Sequence, residues 1–187
     1  MNIRLAEREL KTKFGTFREI LFYDGQKESI AIVMGDVANK ENVLCRVHSH
    51  CTGAHIFNSI ECECREEMER SQFLIAKAGS GVVIWLDQEA KGNGHLALIE
   101  STKYKKQGDA QAVAYRKAGF EADARSYRPA AEILADLRVE SIVLLANNAS
   151  KADDLRKASI VVSETKAMTI DEDSLKDFQA KLRKGKS

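Results

Sequence analysis

Three of the four cysteines in this chain, Cys51, Cys62 and Cys64, fall within fourteen residues in the spacing C-x10-C-x-C, with His48, His50 and His55 close by. Thiolates are soft ligands that suit zinc, and three of them leave one tetrahedral position open. An open position is the requirement for a catalytic rather than a structural zinc, and water bound there ionises near neutral pH. The competing reading is that these are small buried hydrophobes, with Cys64 merely on the core-facing side of a helix. Cys45 sits inside an apolar strand pattern and is assigned to the core.

Such a cluster needs rigid elements to hold it. Phe14 to Asp24 and Glu28 to Val33 are rich in Phe, Ile, Val and Tyr around Asp24-Gly25, which reads as a hairpin. A third strand is expected over Asn42 to His48. Cys64 to Ala78 places Cys64, Met68, Ser71 and Ile75 on one helical face, and Gly79 stands where a C-cap glycine would end it. Gly81 to Leu86 (GVVIWL) reads as a strand buried on both faces. Helices are expected at Leu96 to Lys106, Ala110 to Ala118, Ala130 to Leu137 and Ala152 to Ala158, and strands at Ser141 to Leu145 and Ile160 to Ser163. The apolar strands Gly81 to Leu86 and Ser141 to Leu145 should be central. This alternation predicts a layered α/β domain with an antiparallel start. With no internal repeat, no low-complexity linker and one proline, Pro129, residues 1–187 read as one domain with a basic tail from about residue 180.

The chain has 187 residues, 29 of them basic and 28 acidic. A chain of this length buries about 70% of its unfolded surface, so a metal is not needed merely to hold a core. The near cancellation of charge removes the global signature of a nucleic-acid binder or a membrane-surface protein. No apolar run approaches the roughly 20 residues of a membrane span, and Met1 to Leu10 lacks the apolar stretch of a signal peptide. The expected compartment is the cytoplasm, where clustered cysteines mark metal or catalysis more often than disulfides.

The segment Arg46-Val47-His48-Ser49-His50-Cys51, continuing through Ser59 to Cys62-Glu63-Cys64, resembles the R-V-H-S-E-C…S-x-R-C-D-C segment of GTP cyclohydrolase II, the zinc enzyme that opens the riboflavin pathway. Met34-Gly35-Asp36-Val37 is similar to the family's Y-G-D-I, and Gln88 to Gly94 to its Q-E-G-R-x-I-G. Gly119-Phe120-Glu121-Ala122-Asp123-Ala124-Arg125 is similar to G-F-x-A-D-x-R, and Leu144-Leu145-Ala146-Asn147-Asn148 to L-L-T-N-N. The matches keep their order from about residue 12 to 165.

The resemblance implies a three-layer α/β/α fold with a mixed sheet, a homodimer, and one zinc per chain on Cys51, Cys62 and Cys64. It implies attack of water on C8 of a guanine ring with release of formate, and loss of pyrophosphate in the full reaction, with magnesium accompanying the nucleotide phosphates. Asp123 matches the catalytic acid/base; its other reading is a solvated turn carboxylate. Arg125 matches an arginine at the α-phosphorus, as nucleophile in the family's terms or, as its high pKa favours, as a phosphate clamp. Arg46, Val47, His48, Ser49 and His50 match the segment contacting nucleotide, and Glu89 and Lys91 a purine- and phosphate-facing loop. Lys151 matches a phosphate-binding lysine, a position where lysine is otherwise simply solvated.

Several departures fall inside this constellation. The family's arginine before Q-E is Asp87, its T-N-N threonine is Ala146, and the glutamate of R-V-H-S-E is His50. The glycine and arginine of E-G-R are Ala90 and Lys91, a glutamine past C-D-C is Glu67, a substrate-facing position, and an assisting tyrosine is Thr102. Arginine to lysine loses bidentate geometry, and arginine to aspartate near a triphosphate exchanges attraction for repulsion. Three readings follow: a purine-nucleotide cyclohydrolase, the same zinc chemistry on another nitrogen heterocycle, or a non-catalytic nucleotide-binding paralogue.

Overall fold

The computed structural model describes residues 1–147, 150–171, 173–176, 178 and 180; Asn148 and the basic segment 181–187 lie outside the described residues. The strands are β1 (Ile3–Thr12), β2 (Gly15–Tyr23), β3 (Glu28–Met34), β4 (Val43–Ser49), β5 (Gly81–Leu86), β6 (Ile142–Leu145) and β7 (Val162–Lys166). The helices are α1 (Thr52–His55), α2 (Cys64–Ala78), α3 (His95–Lys105), α4 (Gln111–Lys117), α5 (Arg128–Asp136) and α6 (Ser150–Lys157), with a 3-10 turn at Glu89–Gly92.

The strands form one mixed sheet in the order β1-β2-β3-β5-β4-β6-β7. The first three and β5 pair antiparallel, whereas β4 pairs parallel with β5 and with β6, and β6 with β7. The expected hairpin is present: Asp24 Oδ1 accepts the backbone N–H groups of Gln26 and Lys27 at 2.8 Å each, and Gly25 takes φ 99°. Side-chain alternation along β5 shows where the layers lie. Val82, Ile84 and Leu86 join a core with Ala130, Ile133 and Leu134 of α5 and Ala152 and Leu155 of α6. Val83 joins a second core with Phe73 and Ile75 of α2. Helices therefore cover both faces, which is the expected three-layer arrangement.

β5 is central as expected, whereas β6, also expected there, lies one strand in from the edge beside β7; α2 spans Cys64–Ala78, ended by Gly79 at φ 77°. Burying Phe73 and Ile75 stabilises this helix on the sheet by about 1.5–3 kcal/mol each. Cys45 is fully buried, in line with its assignment to the core. The sequence pattern did not mark β1, which has no buried side chain and is held by backbone pairing to β2 and by ion pairs such as Arg18–Glu7 at 3.4 Å. No described helix is long and apolar enough to cross a membrane.

Candidate active site and metal centre

Because β4, β5 and β6 run parallel, their C-terminal ends bring three segments to one edge of the sheet: residues 49–51, residues 87–91, and residues 146–147 with Lys151. The carboxyl ends of parallel strands are where α/β sheets place ligand sites. A cavity of about 440 Å³ opens there. A second cavity, of about 560 Å³, lies between the β2-β3 turn and the start of α5, and none of the cysteines lines it.

The metal-ligand candidates come together. The Sγ atoms of Cys51, Cys62 and Cys64 all lie within 4.8 Å of one another, and those of Cys51 and Cys62 are 3.6 Å apart. Zinc–sulfur bonds of about 2.3 Å in a tetrahedron place sulfurs roughly 3.8 Å apart, so the spacing and the soft donor set fit zinc. All three cysteines are free thiols. Burial, and then the neighbouring thiols, push the Cys64 thiol up; burial is also the main cause that raises Cys51. Bound metal reverses that balance by favouring thiolate. Short α1 lets the chain turn from Cys51 towards Cys62, and the Arg65 guanidinium fixes the turn by donating to the carbonyls of Ala54 at 2.8 Å and His55 at 2.6 Å. The nearby histidines lie outside this cluster, because His48 and His55 face each other, Nε2 to Nε2, at 3.2 Å.

Behind the thiols lies a buried polar group. Arg46 donates to the Leu145 carbonyl at 3.0 Å, contacts His48 Nδ1 at 3.3 Å and forms an ion pair with Glu67. Burial, reinforced by the charges of Arg46 and Lys151, pushes His48 down to about 2, so its imidazole is neutral. Lys151 does not stand free in solvent. Its ammonium donates to the Val47 carbonyl, and burial together with the Arg46 and Arg125 charges pushes it down to about 7.

Two loops close the other side and are bonded to each other. In the turn Glu89–Gly92, Ala90 and Lys91 both take left-handed backbone, φ 53° and 54°. Each costs of order 1–2 kcal/mol without glycine's freedom. This conformation aims the Lys91 carbonyl at the Ala124 N–H, at 2.8 Å, while Gln88 Nε2 donates to the Ser126 carbonyl and the Asn93 amide joins Glu121 through two further hydrogen bonds. Gly92 has φ 85°, and a Cβ there would lie 2.7 Å from the Ala124 carbonyl. Gly92→Ala should therefore lower stability by at least about 1–2 kcal/mol, a fall of several degrees in Tm by calorimetry, and displace the neighbouring Asp123–Arg125 segment.

Arg125 grips Asp123 through Nε at 2.9 Å and Nη2 at 2.5 Å. Partial burial raises the Asp123 carboxyl, but the hydrogen bonds and charge of Arg125 outweigh it and hold it below its ordinary value. Asp87 is engaged as well: it lies 3.2 Å from His50 Nδ1, and His50 Nε2 is 3.2 Å from the Thr52 hydroxyl. Glu89 accepts the Thr52 N–H at 2.7 Å, and that bonding, against the effect of burial, holds its carboxyl down.

Of the residues singled out in the sequence, Arg46, His48, Ser49, His50, Cys51, Cys62, Cys64, Glu67, Glu89, Lys91, Arg125 and Lys151 all line the 440 Å³ cavity. Val47 does not, because its side chain is buried in the core and it offers only its carbonyl to Lys151. Asp123 is not among the residues lining it; it is hydrogen-bonded to Arg125, which is. Sequence reasoning passed over Glu61, Lys105 and Asp154, which also line it, as do Gln111 and Tyr115 from the segment Ala110 to Tyr115, where the sequence departs from the family's D-T-V-E-A-N. Thr102 bonds back to the Leu98 carbonyl, so the phenol on the wall is Tyr115, brought in by α4 and raised to about 12 by burial and then by Glu89 and Cys51. Its signal was that it is the one aromatic in the expected helix Ala110 to Ala118.

Comparison with known proteins agrees with this geometry. The family model described as GTP cyclohydrolase II matches residues 3–167. A GTP cyclohydrolase-2 of Histophilus somni (strain 2336) is 35% identical over 170 residues, 90% of this chain and 79% of that protein. One of Actinobacillus succinogenes is 34% identical over 171 residues, with the same coverages. A riboflavin biosynthesis protein RibBA of Bacillus mycoides (strain KBAB4) is 37% identical over 163 residues, 86% of this chain and 41% of that protein, so the chain spans about two-fifths of the length of such relatives. Among solved structures, RibBX, a two domain 3,4-dihydroxy-2-butanone 4-phosphate synthase from A. baumannii, matches with a TM-score of 0.48 and 19% identity over 91% of this chain and 40% of that one. With the family model covering residues 3–167 and a relative 35% identical over 79% of its own length, this chain belongs to the GTP cyclohydrolase II family.

Proposed function

We propose that this protein is a zinc-dependent hydrolase that opens the imidazole ring of a guanine nucleotide at C8 and releases formate, with pyrophosphate release when the substrate is a triphosphate and magnesium accompanies it. The observation that carries the reading is the convergence of Cys51, Cys62 and Cys64 on a cavity that also holds Arg125, Arg46 and Glu89. Cys51, Cys62 and Cys64 would hold the metal. When bound, zinc supplies a Lewis acid and lowers the pKa of water at its open position.

The remaining steps belong to the chain's own side chains. Asp123, kept ionised by Arg125, begins as a base: its Oδ2 accepts one hydrogen bond and keeps lone-pair capacity for a proton. The same carboxyl then returns that proton to the departing ring nitrogen. Arg125 orients the phosphate next to the ribose. Neutral His48 and the Arg46–Glu67 pair form a fixed polar wall for the purine, and Tyr115 stays a hydrogen-bond donor at any physiological pH.

Metal analysis combined with mass spectrometry of the products of GTP and GMP incubation tests this reading. One zinc per chain with formate formed from either nucleotide is expected; formation of none from any guanine derivative would reject it. The family relation also carries a homodimer into the proposal. Light scattering at micromolar concentration should give twice the chain mass, and a monomer would refute it.

A further inference from the structure

We propose that Tyr115 is the second proton-transferring group of the ring-opening step, giving its phenol proton to N7 of the purine as water adds to C8. The inference rests on reading the cavity as a guanine-nucleotide site, and it comes from how one tyrosine is held on the cavity wall.

Ring opening needs two such groups. Water adds across the C8–N7 double bond, so a C8–O bond forms while an electron pair moves onto N7 and must be met there by a proton. Asp123, held ionised by Arg125, accepts a proton from the water and has none to give to N7 at that moment. The complementary donor must stay protonated at neutral pH, stand on the wall and have its hydrogen uncommitted.

Tyr115 meets all three conditions. Its ring packs in a cluster with Ala90 and Ala97, flanked by Leu98 and Phe120, so packing rather than a hydrogen bond fixes its position. Gln111 lies one turn earlier on the same face of α4, and its Nε2 donates to the Ser101 hydroxyl at 3.3 Å, which ties that face to α3. Gln111 and Tyr115 line the cavity together with Cys51, Cys62, Cys64 and Arg125. Among the described residues no hydrogen bond engages the Tyr115 hydroxyl, and the phenol oxygen buried without a partner belongs to Tyr127 instead. The Tyr115 hydroxyl therefore meets the cavity with its hydrogen available, and burial, which raises it to about 12, keeps it protonated. Tyr104, two residues after Thr102, is not on this wall; its ring faces the ammonium groups of Lys103 and Lys117 at 5.1 and 6.0 Å.

The proton exchange closes. As water adds, Asp123 accepts one proton and Tyr115 gives one to N7. As the C8–N9 bond then breaks, Asp123 returns its proton to N9 and the new hydroxyl on C8 gives its proton to the Tyr115 oxygen. A formamide remains on N7, with both side chains as they began. A phenol is a far stronger acid than an amine N–H, so the transfer to N7 runs in the favourable direction.

The test is Tyr115→Phe in the zinc-loaded protein, which keeps the ring and removes only a hydroxyl that has no protein partner to orphan. With GTP as substrate, kcat for formate release should fall about a hundred- to ten-thousandfold with KM nearly unchanged, while zinc content and Tm match those of the unaltered protein. Tyr104→Phe, made alongside, should leave formate release unchanged. Undiminished kcat in Tyr115→Phe would overturn the inference while leaving ring opening intact. So would a loss confined to KM, a loss that tracks zinc content or Tm, or a fall in kcat in Tyr104→Phe instead. No formate from the unaltered protein would reject the ring-opening reading itself, and the inference with it.

Discussion

A Cys62→Ser/Cys64→Ser variant should be purified with almost no zinc, where the unaltered protein should carry one ion per chain, and should release no formate. The expectation follows from ligand count: the three sulfurs lie within 4.8 Å of one another, and among the described residues no other His, Cys, Asp or Glu joins the cluster. A single remaining thiolate cannot hold the ion, and a serine hydroxyl does not ionise to replace one. A second readout is independent of turnover. Zinc binding to the native state alone raises the unfolding free energy by about 2.7 kcal/mol at a free concentration a hundred times Kd. Added zinc should therefore raise the Tm of the unaltered protein and leave that of the variant unchanged. Stoichiometric metal in the variant would show that the cysteines are not the ligands.

Asp123→Ala should lower formate release by about a hundred- to ten-thousandfold, the usual range for removing a positioned acid/base. Nucleotide binding should persist, because Arg125, which would meet the phosphate, remains on the cavity wall in this variant. Arg125→Ala should instead chiefly suppress pyrophosphate release from GTP. The pH dependence separates the two roles further. The pairing with Arg125 depresses the Asp123 pKa below its ordinary value of about 3.9, so the carboxylate form and its ion pair are present at neutral pH and are lost only as pH falls through that depressed value. Formate release should consequently show no loss attributable to Asp123 between about pH 5 and 8. Ring opening unaffected in Asp123→Ala would remove the residue from the chemistry.

Much of the architecture was readable in the residues because the relevant signals are local. Helix α2 announces itself through apolar spacing and Gly79, and β5 through an uninterrupted apolar run between two helices. The strand β1 was not readable, since its ten residues expose nearly every side chain and its order comes from pairing with β2 across a turn. Helix α5 begins earlier than expected, at Arg128, because Pro129 in the first turn starts a helix where it was read as preceding one. The metal cluster was legible because C-x10-C-x-C is carried on one continuous segment.

The polar half of the site was only partly legible. The resemblance named Arg46, Lys151 and Arg125, but nothing in the linear order says that Arg46 and Glu67 share a buried ion pair or that Lys151 reaches back to β4. Asp87 shows the same limit most clearly. Read alone, an acid in place of an arginine implied repulsion of phosphate; in three dimensions it faces His50, itself in place of a glutamate. The two side chains meet only because β4 and β5 lie side by side.

The bonding between Glu89–Gly92 and Glu121–Ser126 also bears on how the native state opens. Backbone and side-chain hydrogen bonds join the two loops at Lys91, Gln88 and Asn93, and Gly92 leaves no slack for sliding. Neither loop can detach without exposing the polar groups of the other, so local unfolding here is a single cooperative event rather than two. The amides of Gly94, Glu121 and Ala124 would accordingly exchange with solvent deuterium as one unit, at the rate of the joint opening, and the Asp123 carboxylate would share the lifetime of a turn some thirty residues away in the chain.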